Sequence, residues 1–300
     1  MSELTLRVLF SVVAAPLALG ALYAGDAALA ALLAVVAALA AWEFFRLARA
    51  TGELPVEWFG IPAAGLVPIL VHARYLGLLG PTSPGARGPG LVHAFALGLV
   101  VVAVTIWARG VGGRPMSAAA LTLFGVAYTG GALAFAYALR YHPYVVATDD
   151  ARGRLAGAAV VAFPLVLTWA SDIGAYAAGR LLGRHKLIPS VSPGKTVEGA
   201  VGALVVTAVV SWAYARWVLR PASQLTLTPE GAVLFGVVIS TAAQVGDLVE
   251  SLFKRSANVK DSSRLIPGHG GVLDRVDSLL FTLPVAYLLL AGLLLYVPPR

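Results

Sequence analysis

The chain has 300 residues, 59% of them hydrophobic and only 12% charged, with a mean hydropathy of +0.83. A soluble domain carries about 25% charged residues, so this composition excludes a water-covered globule. The lack of cysteine excludes disulfides, thiolate metal sites and cysteine nucleophiles, and the net charge of +7 fits basic loops beside membrane helices better than a nucleic-acid partner.

Only helices or closed barrels satisfy their backbone in lipid. The apolar runs are about 20 residues long and lack the alternation of barrel strands. They predict an all-α integral membrane protein, a polytopic bundle of about nine transmembrane helices. The segments lie near 4–24, 28–48, 58–78, 91–109, 117–140, 156–179, 196–219, 229–251 and 277–297. Arg7 and the run after it resemble a signal peptide, but a second long apolar run follows at once and predicts an uncleaved span. Gly-Pro-rich stretches such as Gly80–Gly90 punctuate the early segments. Residues 1–150 read as transmembrane scaffold and oligomer contacts, and 151–300 as the catalytic region. With nine spans, the greater share of Lys and Arg falls on the side of the N-terminus, which the positive-inside rule places in the cytoplasm, leaving the C-terminus outside.

The chemistry-bearing residues begin in the sixth segment. Ser171-Asp-Ile-Gly-Ala-Tyr-Ala-Ala-Gly-Arg180 sets Asp172 in an apolar span with Tyr176 one turn on. An intramembrane acid is a functional candidate by default, whereas Gly174 and Gly179 suit close helix packing. In Ser192-Pro-Gly-Lys-Thr-Val-Glu-Gly199, Ser192 and Pro193 read as the cap and first residue of a helix. A helix start near Lys195 can cradle phosphate, with Thr196 and Glu198 in the same segment. Its Gly-Lys-Thr triplet lacks the first glycine and the preceding strand of a P-loop.

Further on, Asp247, Glu250, Ser251 and Lys254 fall at i, i+3, i+4 and i+7 and share a helical face. Asp247 and Glu250 are candidate metal ligands; a Glu250–Lys254 ion pair is the structural alternative. The polar stretch Ser251–Asp277 then joins the last two spans. It sets Lys254, Arg255, Lys260, Arg264 and Arg275 beside Asp261, Asp274 and Asp277. Lys and Arg suit a polyphosphate, and carboxylates suit a Mg²⁺ that bridges it. Pro267-Gly-His-Gly-Gly271 lets backbone approach a ligand closely, with His269 as a further candidate. Asp274 and Asp277 repeat the i, i+3 spacing as the last span begins, where helix-start acids also favour the macrodipole.

Ser251-Leu-Phe-Lys-Arg, Lys260-Asp261 and Pro267-Gly-His-Gly-Gly-Val-Leu-Asp-Arg-Val-Asp277 resemble the signature of the phosphatidate cytidylyltransferases, or CDP-diacylglycerol synthases. The segments at Asp172 and at Ser192 resemble that family's other motifs, so the likeness covers roughly 165–280. It implies a polytopic, dimeric nucleotidyltransferase (EC 2.7.7 type) of phospholipid biosynthesis in a bacterial cytoplasmic membrane, its active-site cavity facing the cytoplasm. Such an enzyme turns CTP and phosphatidate into CDP-diacylglycerol and pyrophosphate with Mg²⁺ and a second cation, K⁺ or Mg²⁺. The family's metal-binding acids fall on Asp247 and Asp274. Many members have Lys where this chain has Gly194, which leaves Lys195 to carry that charge. On this reading Asp172, Ser192, Lys195, Thr196 and Glu198 line the wall opposite the basic stretch. Two rivals are a CTP-dependent polyprenol or phytol kinase, which would release CDP, and a transporter using the intramembrane acids as an ion path. The motif of CDP-alcohol phosphotransferases is missing.

Overall fold

The structure is a computed structural model that describes residues 3–79, 90–142, 151–223, 225–266, 268 and 270–290. It is nearly all-α. Five helical stretches are long and apolar enough to cross a membrane: Asp26–Ala50, Pro115–Arg140, Ala151–Leu182, Val197–Ala222 and Pro229–Ser256. Two shorter apolar helices, Val12–Ala24 and Ala94–Arg109, accompany them, as a multi-pass membrane protein requires. The remaining expected segments near 58–78 and 277–297 contain helix at Glu57–Tyr75 and Leu279–Leu288.

The chain packs as two compact units. The first comprises residues 1–138 and 253–276. It holds α1 (Glu3–Ala24), α2 (Asp26–Ala50), α3 (Glu57–Tyr75), α4 (Leu91–Arg109), α5 (Pro115–Val126) and most of α6 (Ala132–Arg140). A wider π-type turn, Ala127–Gly131, joins α5 to α6. There the Thr129 hydroxyl donates to the Gly125 carbonyl one turn back at 2.7 Å, which satisfies the buried hydroxyl within its own helix. Helix α2 buries Leu29, Leu33, Ala37, Ala40, Ala41, Phe44 and Phe45 against α3 and α5. Phe45 fills space that α3 and α5 leave by using Gly60 and Gly125, where a Cβ would lie 2.6 and 2.5 Å from the ring. Phe44, Phe124, Tyr128 and Phe253 complete an aromatic cluster with centroids 5.4–6.1 Å apart. In lipid such packing, not water expulsion, holds helices together.

The second unit comprises residues 139–252 and 277–300. It holds α7 (Ala151–Leu182), a hairpin of β1 (Lys186–Ile188) and β2 (Ser192–Thr196), α8 (Val197–Tyr214) and the short α9 (Arg220–Ala222). Most of α10 (Pro229–Ser256) and α12 (Leu279–Leu288) belong to it too. Small residues bring α7 and α8 together: a Cβ at Gly174 would meet Val206 at 2.9 Å, and one at Gly202 would collide with the Ala178 methyl. The packing role expected for Gly174 thus holds. Phe163 stacks between Tyr214 and Phe235 at 4.9 and 4.6 Å. Val201, Val205 and Val209 recur every fourth residue on the outer, lipid-suited face of α8.

Three local expectations change. Ser192 and Pro193 do not cap a helix but begin β2, which pairs antiparallel with β1 in the register Lys186↔Thr196 and Ile188↔Ser192. The cap of α8 is Thr196, whose hydroxyl accepts from Gly199 N at 3.1 Å. The strand gives the backbone of 192–196 ladder partners that a helix would have had to break. Second, α10 runs past the expected segment end near 251 to Ser256, in keeping with the helical face expected through Lys254. Asn258, at φ 56°, ends it in the left-handed conformation that asparagine tolerates. Third, Asp274 sits in a separate four-residue helix, α11 (Leu273–Val276), and Asp277 lies between α11 and α12.

Candidate active site

Each unit holds its own cluster of polar side chains. In the second unit, α7, the hairpin, α8 and α10 enclose a cavity of about 420 Å³, a size suited to a nucleotide-scale ligand. Asp172, Tyr176 and Arg180 line it from α7, Gly194, Lys195 and Thr196 from the hairpin, and Gln244 and Asp247 from α10. Lys195 Nζ lies 2.8 Å from Asp247 Oδ2, with the two side chains 26% and 36% exposed. The Ser251 hydroxyl donates to Asp247 Oδ1 at 3.3 Å, the i, i+4 contact that the sequence spacing predicts. Arg180 Nη1 donates to the Tyr176 hydroxyl at 2.8 Å. Two carboxylates, an ammonium and a guanidinium therefore converge on one hollow, a mixture of charges that suits a phosphate-bearing ligand.

Glu198 does not line this cavity. Its carboxylate accepts from Arg184 N at 3.0 Å, His185 N at 3.2 Å and His185 Nδ1 at 2.6 Å. It ties the entry of the hairpin to the first turn of α8. Ser192 also stands outside the lining.

In the first unit, Asp274 is gripped from several sides. Lys254 Nζ donates to Oδ1 at 2.8 Å. Oδ2 accepts from Ser262 N at 3.0 Å, Ser262 Oγ at 2.9 Å and Gly271 N at 2.8 Å. The ion pair is enclosed, its side chains 13% and 7% exposed. Lys254 thus reaches Asp274, a partner that spacing along α10 does not offer it. Glu250, in the second unit, is fully buried. The glycines of the loop serve this packing. Gly268 and Gly270 have φ of 73° and 83°, and a Cβ on Gly270 would stand 2.8 Å from Asp274 Oδ2. The close backbone approach expected for a ligand is here made by the protein's own carboxylates.

Arg255, Lys260, Asp261, Arg264 and Arg275 are exposed, and Arg255 donates to the Val259 carbonyl at 3.2 Å. Asp277 Oδ1 accepts from Ser278 N at 2.6 Å in the second unit. His269 lies outside the described residues.

Sequence reasoning missed Glu43, Ser262, Ser263, Arg180 and Gln244. Glu43 lies in α2, 0% exposed, and its carboxylate holds the loop that carries Asp274. The signal was present: a lone acid in a long apolar run, the same feature that singles out Asp172 and Asp247. Among the described residues no group of three or more His, Cys, Asp or Glu is arranged to hold a metal ion. The donor set instead fits a cation such as Mg²⁺, which takes one or two carboxylates and completes its shell with substrate phosphates and water.

The match to known proteins runs along nearly the whole chain. A family model described as "Cytidylyltransferase family" matches residues 5–293. A phosphatidate cytidylyltransferase of Staphylococcus saprophyticus is 38% identical over 180 residues, covering 57% of this chain and 59% of the relative. One of Staphylococcus haemolyticus is 40% identical over 172 residues, with the same two coverages. In these two alignments the chain spans 59% of the relative's length. One of Staphylococcus aureus is 35% identical over 231 residues, covering 75% of this chain and 79% of the relative. The chain belongs to the cytidylyltransferase family.

Proposed function

We propose that the chain transfers the cytidylyl group of CTP to phosphatidate, forming CDP-diacylglycerol and pyrophosphate in a bacterial cytoplasmic membrane. The observation that carries this reading is the cavity in which Asp172 and Asp247 face Lys195 at the start of α8, in a chain whose relatives are named phosphatidate cytidylyltransferases.

A phosphatidate oxygen attacks the α-phosphorus of CTP. A new P–O bond forms as the bond to the β-phosphate oxygen breaks, and pyrophosphate leaves on the opposite side. A phosphate monoester is already largely dianionic at neutral pH, so no strong base is needed. Catalysis rests on positioning and charge neutralisation. Lys195 supplies positive charge to the triphosphate, assisted by Arg180. The exposed Lys260, Arg264 and Arg275 offer charge to the anionic substrates. Asp247, with Asp172 beside it in the cavity, would hold Mg²⁺. Asp274 would serve likewise through Oδ1, the oxygen that Lys254 holds and that a cation can share. The ion, when bound, neutralises charge developing on the phosphate oxygens. Glu250 and Asp277 are proposed as supporting acids.

The full set of nine spans, a cytoplasmic N-terminus, an outer C-terminus, a cytoplasm-facing site and a homodimer belong to the same proposal. The test uses purified full-length protein with CTP, phosphatidate and Mg²⁺. CDP-diacylglycerol and pyrophosphate in equal amounts are expected; CDP with a phosphorylated lipid alcohol would mark a lipid kinase instead.

A further inference from the structure

Glu43 is a carboxylate within a long apolar helix, with no solvent exposure. Its neighbours explain how it is tolerated there. Oε1 accepts from the Ser263 hydroxyl at 2.6 Å and from Val272 N at 2.9 Å. Oε2 accepts from Leu273 N at 2.6 Å and the Ser262 hydroxyl at 2.9 Å. When the Ser262 hydroxyl turns to Glu43, all four lone-pair directions of the carboxylate are used. Every one of these donors comes from the two ends of one loop, at 262–263 and 272–273. The residue that follows is Asp274.

The loop is packed tightly against this side chain. A Cβ on Gly271 would collide with Ser262 Oγ and come within 2.5 Å of Glu43 Oε2, so carboxylate and backbone are packed at the closest approach glycine allows. The Ser262 hydroxyl stands 2.9 Å from both Glu43 Oε2 and Asp274 Oδ2. With one proton it donates to one of them at a time. Asp274 keeps the Ser262 and Gly271 amides when the hydroxyl turns to Glu43. An uncharged side chain at 43 would strand buried amide donors whose service is to fix the loop.

We propose that Glu43 is a positioning residue for the reaction above. It anchors both ends of the 262–273 loop to α2 and thereby sets the place and orientation of the Asp274 carboxylate toward a cation. The inference rests on the proposed cytidylyl transfer only for its kinetic consequence; the anchoring itself is independent of it.

The experiment compares full-length wild type, Glu43→Gln and Ser263→Ala in detergent micelles. Hydrogen exchange of peptides spanning 262–275 is the first readout, Mn²⁺ binding by EPR the second, and the Mg²⁺ dependence of CDP-diacylglycerol formation the third. Glu43→Gln should speed exchange of the loop about tenfold with α7 and α8 unchanged, and weaken Mn²⁺ binding and Mg²⁺ activation by about 10–100-fold, the range seen when a partner of a metal ligand is lost. Ser263→Ala removes one donor and should move all three in the same direction by a few-fold, which carries the test if Glu43→Gln does not fold. Glu43→Asp should recover part of the Mn²⁺ affinity. Unchanged loop protection overturns the proposal, as does faster exchange with wild-type Mn²⁺ and Mg²⁺ dependence. A wild type that binds Mn²⁺ yet makes no CDP-diacylglycerol overturns the proposed reaction instead.

Discussion

Each unit contains a lysine–aspartate pair at 2.8 Å, and the two pairs differ in everything but that distance. Lys254–Asp274 is enclosed, with amide and hydroxyl donors on the second carboxylate oxygen and Glu43 bracing the loop behind it. Lys195–Asp247 is partly open and borders the cavity, with the Ser251 hydroxyl on the other carboxylate oxygen. The difference is one of preorganisation. Asp274 is held in place before any ligand arrives, which would suit the fixed metal position proposed for it. Lys195 and Asp247 are the more accessible of the two pairs, which would suit groups proposed to exchange each other for substrate and cation.

Asp274→Asn should break this comparison most severely. Turnover of CTP should fall by about a thousandfold or more, and the unfolding free energy by about 3–5 kcal/mol, because an enclosed Lys254 loses this counter-charge. Near-normal turnover in detergent would remove Asp274 from the metal assignment. Asp247→Asn should lower turnover by about a hundredfold but lower the thermal midpoint less than Asp274→Asn does, as expected for the more accessible pair. Equal destabilisation by the two variants would erase the distinction.

A pair of alanine substitutions sharpens it further. Gly271→Ala forces a Cβ onto Ser262 and Glu43 and should cost about 1–3 kcal/mol, with roughly tenfold weaker activity through displacement of Asp274. Gly194, in the wall of the open cavity, has room to spare: a Cβ added there would meet no heavy atom within 4 Å. Gly194→Ala should stay within about 0.5 kcal/mol of wild type.

The smallest effect on turnover near neutral pH belongs to His142, which is a member of neither pair. Burial lowers its imidazole from 6.5 to about 4, so the folded protein keeps it neutral while the unfolded chain takes up a proton below about 6.5. Stability should therefore decline as pH falls from 6.5 toward 4, by at most about 1.4 kcal/mol per pH unit. His142→Gln should flatten that part of a thermal-stability profile without changing activity at pH 7.

Much of the candidate site can be named from the sequence because charge in an apolar chain is conspicuous. Asp172, Asp247 and Asp274 stand out for the reason that a lone carboxylate in lipid needs a purpose. The i, i+4 contact of Ser251 with Asp247 follows from helix geometry alone. Glu43 meets the same criterion, but its partners are more than 200 positions away in sequence, so no local pattern joins it to the loop. Ser192 and Pro193 mislead for a different reason. They carry a legitimate cap signal, but Thr196 offers an equally good cap, and pairing with Lys186–Ile188 decides between them.

Composition and periodicity alone determine that the chain is helical, apolar and membrane-spanning, since backbone groups in lipid admit few other solutions. They also place the acidic and basic residues along the chain. Which lysine faces which aspartate is a tertiary decision. Helix spacing offers Lys254 only Glu250, one turn away; a loop folded over α2 is what delivers Asp274 to it. Local spacing lists the partners a charge can reach within its own helix. The packed loop, fixed by Glu43 and the room at Gly271, adds the one that spacing cannot supply.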